Sequence, residues 1–135
     1  MKGVALALIA GLCPAFALAG TQGEEDAITI NRLNASDFEV VSGSFVGGNE
    51  YFWCGAASYV ERRTKRSGLT PIYIKQPIGP SRSVAGRKSV VFSTSNAGLP
   101  ANQDRSTLTL KVRGAMLKAA KARSYCRDAF TRSTK

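Results

Sequence analysis

The chain has 135 residues, with 19 Lys+Arg against 9 Asp+Glu, no histidine and a net charge of +10. Without histidine, the Ser-His-Asp and Cys-His arrangements, the usual general base and most zinc sites are excluded. The length suits one domain with a modest core, and the surplus of cations forecasts an anionic partner without dictating a fold.

The chain opens with Lys2, the apolar run Val4 to Leu18 and the small residues Ala17 and Ala19. That layout predicts a secretory signal peptide over residues 1–19, cut after Ala19. A membrane span needs about 20 apolar residues and seldom carries an internal proline such as Pro14. Lipid attachment at Cys13 is not expected, because Leu12 stands where a small residue is required. Cleavage removes Lys2 and no acid, which leaves 18 cations against 9 acids. Residues 20–60 hold six acids and one cation, and residues 61–135 hold three acids and 17 cations. Charge segregated in this way builds a one-signed surface. No later stretch is apolar enough to span a bilayer, and the expected location is the periplasm or the exterior.

Residues 20–36 begin with GTQGEEDA, have little to bury and read as a flexible acidic tail, which leaves 37–131 as a single domain. Phe38 to Ser42 predicts a short strand. Asn49 then reads as a helix N-cap with Glu50 in the first turn, and a helix over 49–66 is expected to end in Arg62, Arg63, Lys65 and Arg66 before Gly68 and Pro71. Phe52, Ala56 and Tyr59 share a stripe beside Trp53, Ala57 and Val60, so Tyr51-Phe52-Trp53 is expected to pack in the core rather than stack a ligand. Three strands follow by period-2 alternation: Ile72 with Ile74, Val90 with Phe92, and Leu108, Leu110 with Val112. Connections of about ten residues favour antiparallel pairing. Ala115, Ala119, Ala122, Cys126 and Ala129 fall on one face of a closing helix. The sum is an α+β fold, a small antiparallel sheet of about three or four strands covered by two helices. Once Cys13 is removed, Cys54 and Cys126 are the only two thiols, and one structural disulfide is expected to join the helices.

Chemical motifs are scarce. There is no G-x-S-x-G, no Walker loop and no serine followed three residues later by lysine. The acids Glu61, Asp104 and Asp128 form no local pair, and no enzyme activity, metal or cofactor is expected. The sequon Asn34-Ala35-Ser36 has meaning only in a host that glycosylates.

The most distinctive stretch is GPSRSVAGRK, residues 79–88, with three cations, two glycines and no acid. Arg82 and Arg87 suit bidentate bonds to phosphate or carboxylate, Lys88 adds a point charge, and Gly79 with Gly86 lets backbone N–H groups turn toward an anion. Lys75, Lys111 and Arg113 are expected beside them on the outer sheet face. A solvated hairpin turn is the commoner use of such a composition, which does not choose between the two.

Trp53-Cys54-Gly55-Ala56-Ala57, Tyr73-Ile74, Gly79-Pro80-Ser81-Arg82, Gly86-Arg87-Lys88, Val90-Val91-Phe92 and Tyr125-Cys126 resemble an uncharacterised family of small exported proteins from alphaproteobacteria of the Rhodobacter group. The resemblance covers about residues 38–130. It implies export and a shared fold, and carries no activity. The expectation is therefore a small exported binding module whose partner is an anionic envelope polymer or an acidic protein. Two alternatives stand beside it: a small envelope hydrolase using acids and serines near the basic loop, and a purely structural envelope protein.

Overall fold

The computed structural model describes residues 27–43, 48–101 and 108–130. The expected signal peptide and the first residues of the expected tail lie outside them. Strands β1 (Thr29–Arg32), β2 (Asp37–Val41), β3 (Pro71–Pro80), β4 (Lys88–Ser93) and β5 (Met116–Lys118) form one five-stranded sheet in the order β1-β2-β4-β3-β5. All its pairings are antiparallel. Helix α1 (Asn49–Ser58) continues as one π turn, Tyr59–Arg63, and the chain closes with two short helices, α2 (Ala119–Arg123) and α3 (Cys126–Phe130). The α+β architecture with helices stapled by a disulfide is as expected, with one or two strands more.

Alternation along β2 and β4 sends Phe38, Val40, Val90 and Phe92 into the core. There Trp53 of α1 lies against Phe92, ring centroids 5.0 Å apart, and Phe38 stacks on Tyr59 at 4.2 Å. Tyr51-Phe52-Trp53 is core as expected, with Phe52 and Trp53 fully buried and Tyr51 packed at the margin. Every residue of α1 from Phe52 to Ser58 is buried. The helix is enclosed because the sheet covers one side and α2 and α3 the other, so it carries no polar face. Cys54 of α1 and Cys126 of α3 form the disulfide, S–S 2.11 Å and Cα–Cα 4.7 Å.

The small residues of α1 are what allow this enclosure. A methyl on Gly55 would lie 2.8 Å from Val40 Cγ1 and 3.1 Å from Ile28 Cγ2. Gly55→Ala gains helix propensity but overpacks the helix–sheet contact, for a net loss of about 1–2 kcal/mol. A urea midpoint equal to that of the wild type would show that the contact is slack.

Three elements differ from expectation. Thr29–Arg32 lies within the stretch read as a tail, yet it pairs with β2, and Ile28 is buried against the core. Its four residues alternate too briefly to stand out, and an edge strand acquires its order from its neighbour. The alternating run Leu108–Val112 is not a strand. Against β4 the register of β3 shifts twice between Ile74 and Gly79, and such bulges bend a strand, so its opposite edge pairs regularly only over Pro71–Tyr73, with β5. Residues 108–115 follow that edge by scattered bonds instead: Ile78 N–H to Leu110 O, Gly114 N–H to Ile74 O and Ile74 N–H to Ala115 O. The carbonyls of Leu108 and Thr109 accept from Asn49 Nδ2 and Trp53 Nε1. Asn49 is therefore no N-cap, and Gly48 occupies that position. Finally, the closing helix starts only at Ala119, because Met116–Lys118 pairs with β3 as β5.

Candidate anion-binding clefts

The same alternation that buries Phe38 and Val40 turns Asp37 and Glu39 to the sheet face away from the helices. Both carboxylates are nevertheless buried, Glu39 completely. The cover over Glu39 is the 79–88 loop. A turn closed by Ser81 N–H to Arg87 O at 2.8 Å, with Gly86 at φ +77, folds residues 81–84 back over β2. Glu39 Oε2 accepts from Ser89 Oγ at 2.7 Å, Arg82 N–H at 3.0 Å and Ser81 Oγ at 3.3 Å. Glu39 Oε1 accepts from Ser83 Oγ at 2.5 Å and Asn31 Nδ2 at 3.4 Å. Burial alone would raise the Glu39 pKa, but the bonds from Ser83, Ser89, Arg82 N–H and Asn31 outweigh it and hold the group at about 2. The loop does cradle an anion, and that anion is a side chain of its own protein.

Asp37 is paired in the same way with Lys75, whose ammonium binds its carboxylate, and it accepts from Asn34 Nδ2 at 2.9 Å. Desolvation again raises the pKa, and the bonds from Lys75, Ser93 and Asn34 with the charge of Lys75 bring it down to about 2.

The six cations read as one basic site are divided. Lys75, Arg82 and Arg113 line a cleft of 580 Å³ together with Asn34, Asp37 and Gln76. Arg113 is held there by the carbonyls of Lys75, from Nε at 3.3 Å, and of Gly98, from Nη2 at 3.2 Å. Carbonyl partners orient a guanidinium without neutralising it. Arg87 and Lys88 line a separate recess with Ile78 and Gly86, and Arg87 Nη1 donates to Ser42 O at 3.3 Å. Lys111 is exposed on the irregular segment after Leu110 and lines neither cavity. Of the six cations, three thus share one cleft, while Arg87 and Lys88 line another and Lys111 lines neither.

The largest of these cavities, 630 Å³, was not anticipated. It lies where the π turn meets the β1–β2 turn and is lined by Arg32, Arg63 and Arg66 with Ser36, Tyr59 and Thr94, and by no acid among the described residues. Arg32 is the lone cation of the acidic first half, so a search for clustered cations passes over it. Asp37 and Glu39 escape the sequence pattern for a related reason: the acids it singles out, Glu61, Asp104 and Asp128, all follow residue 60. Of those, Glu61 pairs with Arg123 at 3.5 Å, and Asp104 lies outside the described residues. Among the described residues no three His, Cys, Asp or Glu side chains gather as a metal site, and no helix is long and apolar enough to cross a membrane. Comparison of the chain with protein-family models, curated proteins and solved structures returned no match.

Proposed function

We propose that the protein is an exported basic module that binds an anionic partner and carries no catalysis. The observation supporting it is the cleft of Lys75, Arg82 and Arg113, whose one acid among the described residues, Asp37, is already satisfied by Lys75 and Asn34. The charges of Arg82 and Arg113 remain for a ligand, and the Arg82 guanidinium suits bidentate bonds with phosphate, sulfate or carboxylate. The hydrolase alternative would need an acid poised near neutrality beside a serine. Glu39 does sit among Ser81, Ser83 and Ser89, but it is enclosed and far too weak a base at about 2 to take a hydroxyl proton near pH 7. A purely structural envelope protein would have no use for a cation-lined cleft.

Elution from heparin resin in a salt gradient tests the reading. Arg82→Ala and Arg113→Ala are expected to elute well before wild type, while Lys111→Ala elutes close to it. Arg82→Lys does not restore retention, because an ammonium lacks the planar fork. Equal elution of all these variants would reduce the site to general basicity, and a wild type that fails to bind at low salt would end the polyanion reading.

A further inference from the structure

Two of the cation-lined clefts share a wall. Leu33 and Asn34 of the β1–β2 turn face the cleft of Lys75, Arg82 and Arg113, and the next residues, Ala35 and Ser36, face that of Arg32, Arg63 and Arg66. The wall is stiff: Asn34 Oδ1 accepts from the N–H groups of Ser36 and Asp37 at 3.0 and 2.8 Å, and Leu33 N–H binds Asp37 O at 2.9 Å. On its far side the arginines are set by unusual backbone. Thr64 N–H reaches Tyr59 O in the wide π register, and Lys65 next to it has φ +58, unique among the described non-glycine residues. Such departures from helical geometry are retained where they aim side chains at a task. Arg32, Arg63 and Arg66 are all exposed, and Arg32 Nε donates to a carbonyl, that of Asn34 at 3.2 Å. Among the described residues no carboxylate lines their cleft to offset three positive charges.

The geometry points to one linear phosphodiester polymer that crosses the β1–β2 turn and places successive phosphates in both clefts. This rests on the anion-binding reading of the first cleft and extends it. A compact anion fills one cleft and leaves the other unused. A chain with one charge per unit uses both and neutralises about five cations in all, three in the arginine cleft and Arg82 with Arg113 across the wall. The guanidinium groups and the Thr94 hydroxyl offer more donors than the two oxygens of one carboxylate can use, whereas a phosphodiester chain presents two charged non-bridging oxygens again at every unit. Tyr59 in the same cleft adds an aromatic surface beside the charges, the combination used on single strands.

Fluorescence anisotropy of the full oxidised chain with labelled oligo-deoxythymidine tests this, comparing two nucleotides with roughly twelve, near the span of a single-strand site. The triple variant Arg32→Ala, Arg63→Ala, Arg66→Ala should bind the long probe roughly tenfold or more weakly at low salt. Its plot of log affinity against log salt should be shallower by about 2, the share of three released counterions on a single strand. The gain in affinity from the short to the long probe should vanish both in this variant and in Arg82→Ala with Arg113→Ala. Poly(glycerol phosphate) that competes assigns recognition to the phosphodiester backbone, and competition by oligonucleotide alone assigns it to nucleotides. An unchanged affinity and salt slope in the folded triple variant, beside a loss at Arg82 and Arg113, would overturn the inference and leave the first cleft standing. A loss in the triple variant alone would overturn the crossing and the first cleft together.

Discussion

Glu39→Ala should be the most damaging single substitution on the outer sheet face, lowering stability by about 3 kcal/mol or more. It strands several buried donors at once, among them the Arg82 N–H and the Ser89 hydroxyl, each of which costs about 1–3 kcal/mol when unsatisfied. The loop over 81–84 loses the group it folds around, so faster amide exchange at Arg82 should accompany the loss. The same carboxylate makes stability depend on pH. Its pKa is about 2 in the fold against an ordinary glutamate value of 4.5, so its contribution is whole above about pH 5 and is lost as pH falls through 2. The shift corresponds to about 3 kcal/mol, and Asp37, moved from 3.8 to about 2, adds about 2 kcal/mol in the same window. Glu39→Gln keeps the shape and removes the titration, so its acid unfolding curve should be flatter than that of wild type between pH 5 and 2. A parallel pair of curves would show that Glu39 does not carry the acid sensitivity.

Removing the disulfide is the second large effect. Cys54 and Cys126 are 72 positions apart, and in the chain-entropy model closing a loop of that length stabilises by about 4 kcal/mol. Both side chains are buried against α1 and the closing helices, so replacement by alanine at both positions leaves only small voids, and the cross-link dominates. For a domain of this size, a loss of 4 kcal/mol lowers the thermal midpoint by about 15–30 °C. The double alanine variant and the reduced wild type should melt together, both well below the oxidised protein. A reduced protein that melts with the oxidised one would mean that α2 and α3 hold to α1 without the bond.

Much of the fold was present in local pattern. The helix from Asn49, the strand at Phe38 and the pair of strands around Ile74 and Val90 all follow from side-chain period, and Cys54–Cys126 is the pairing expected if Cys13 leaves with a signal peptide. Charge segregation was equally plain. What alternation leaves open is which edge of a sheet can accept a partner and which face another segment will cover. Leu108–Val112 alternates more cleanly than any other run, yet it forms no ladder with β3, a strand bent by two register shifts against β4, while Thr29–Arg32 becomes a strand because β2 has a free edge beside it. The cations met the same limit. Sequence alone placed Arg82 in a loop suited to anions, and only the tertiary structure spent that loop's N–H and hydroxyl donors on Glu39, some 43 positions away. Buried charge takes whichever partner the fold brings within bonding distance, and neither that distance nor the union of Arg32 with Arg63 and Arg66 is written in neighbouring residues.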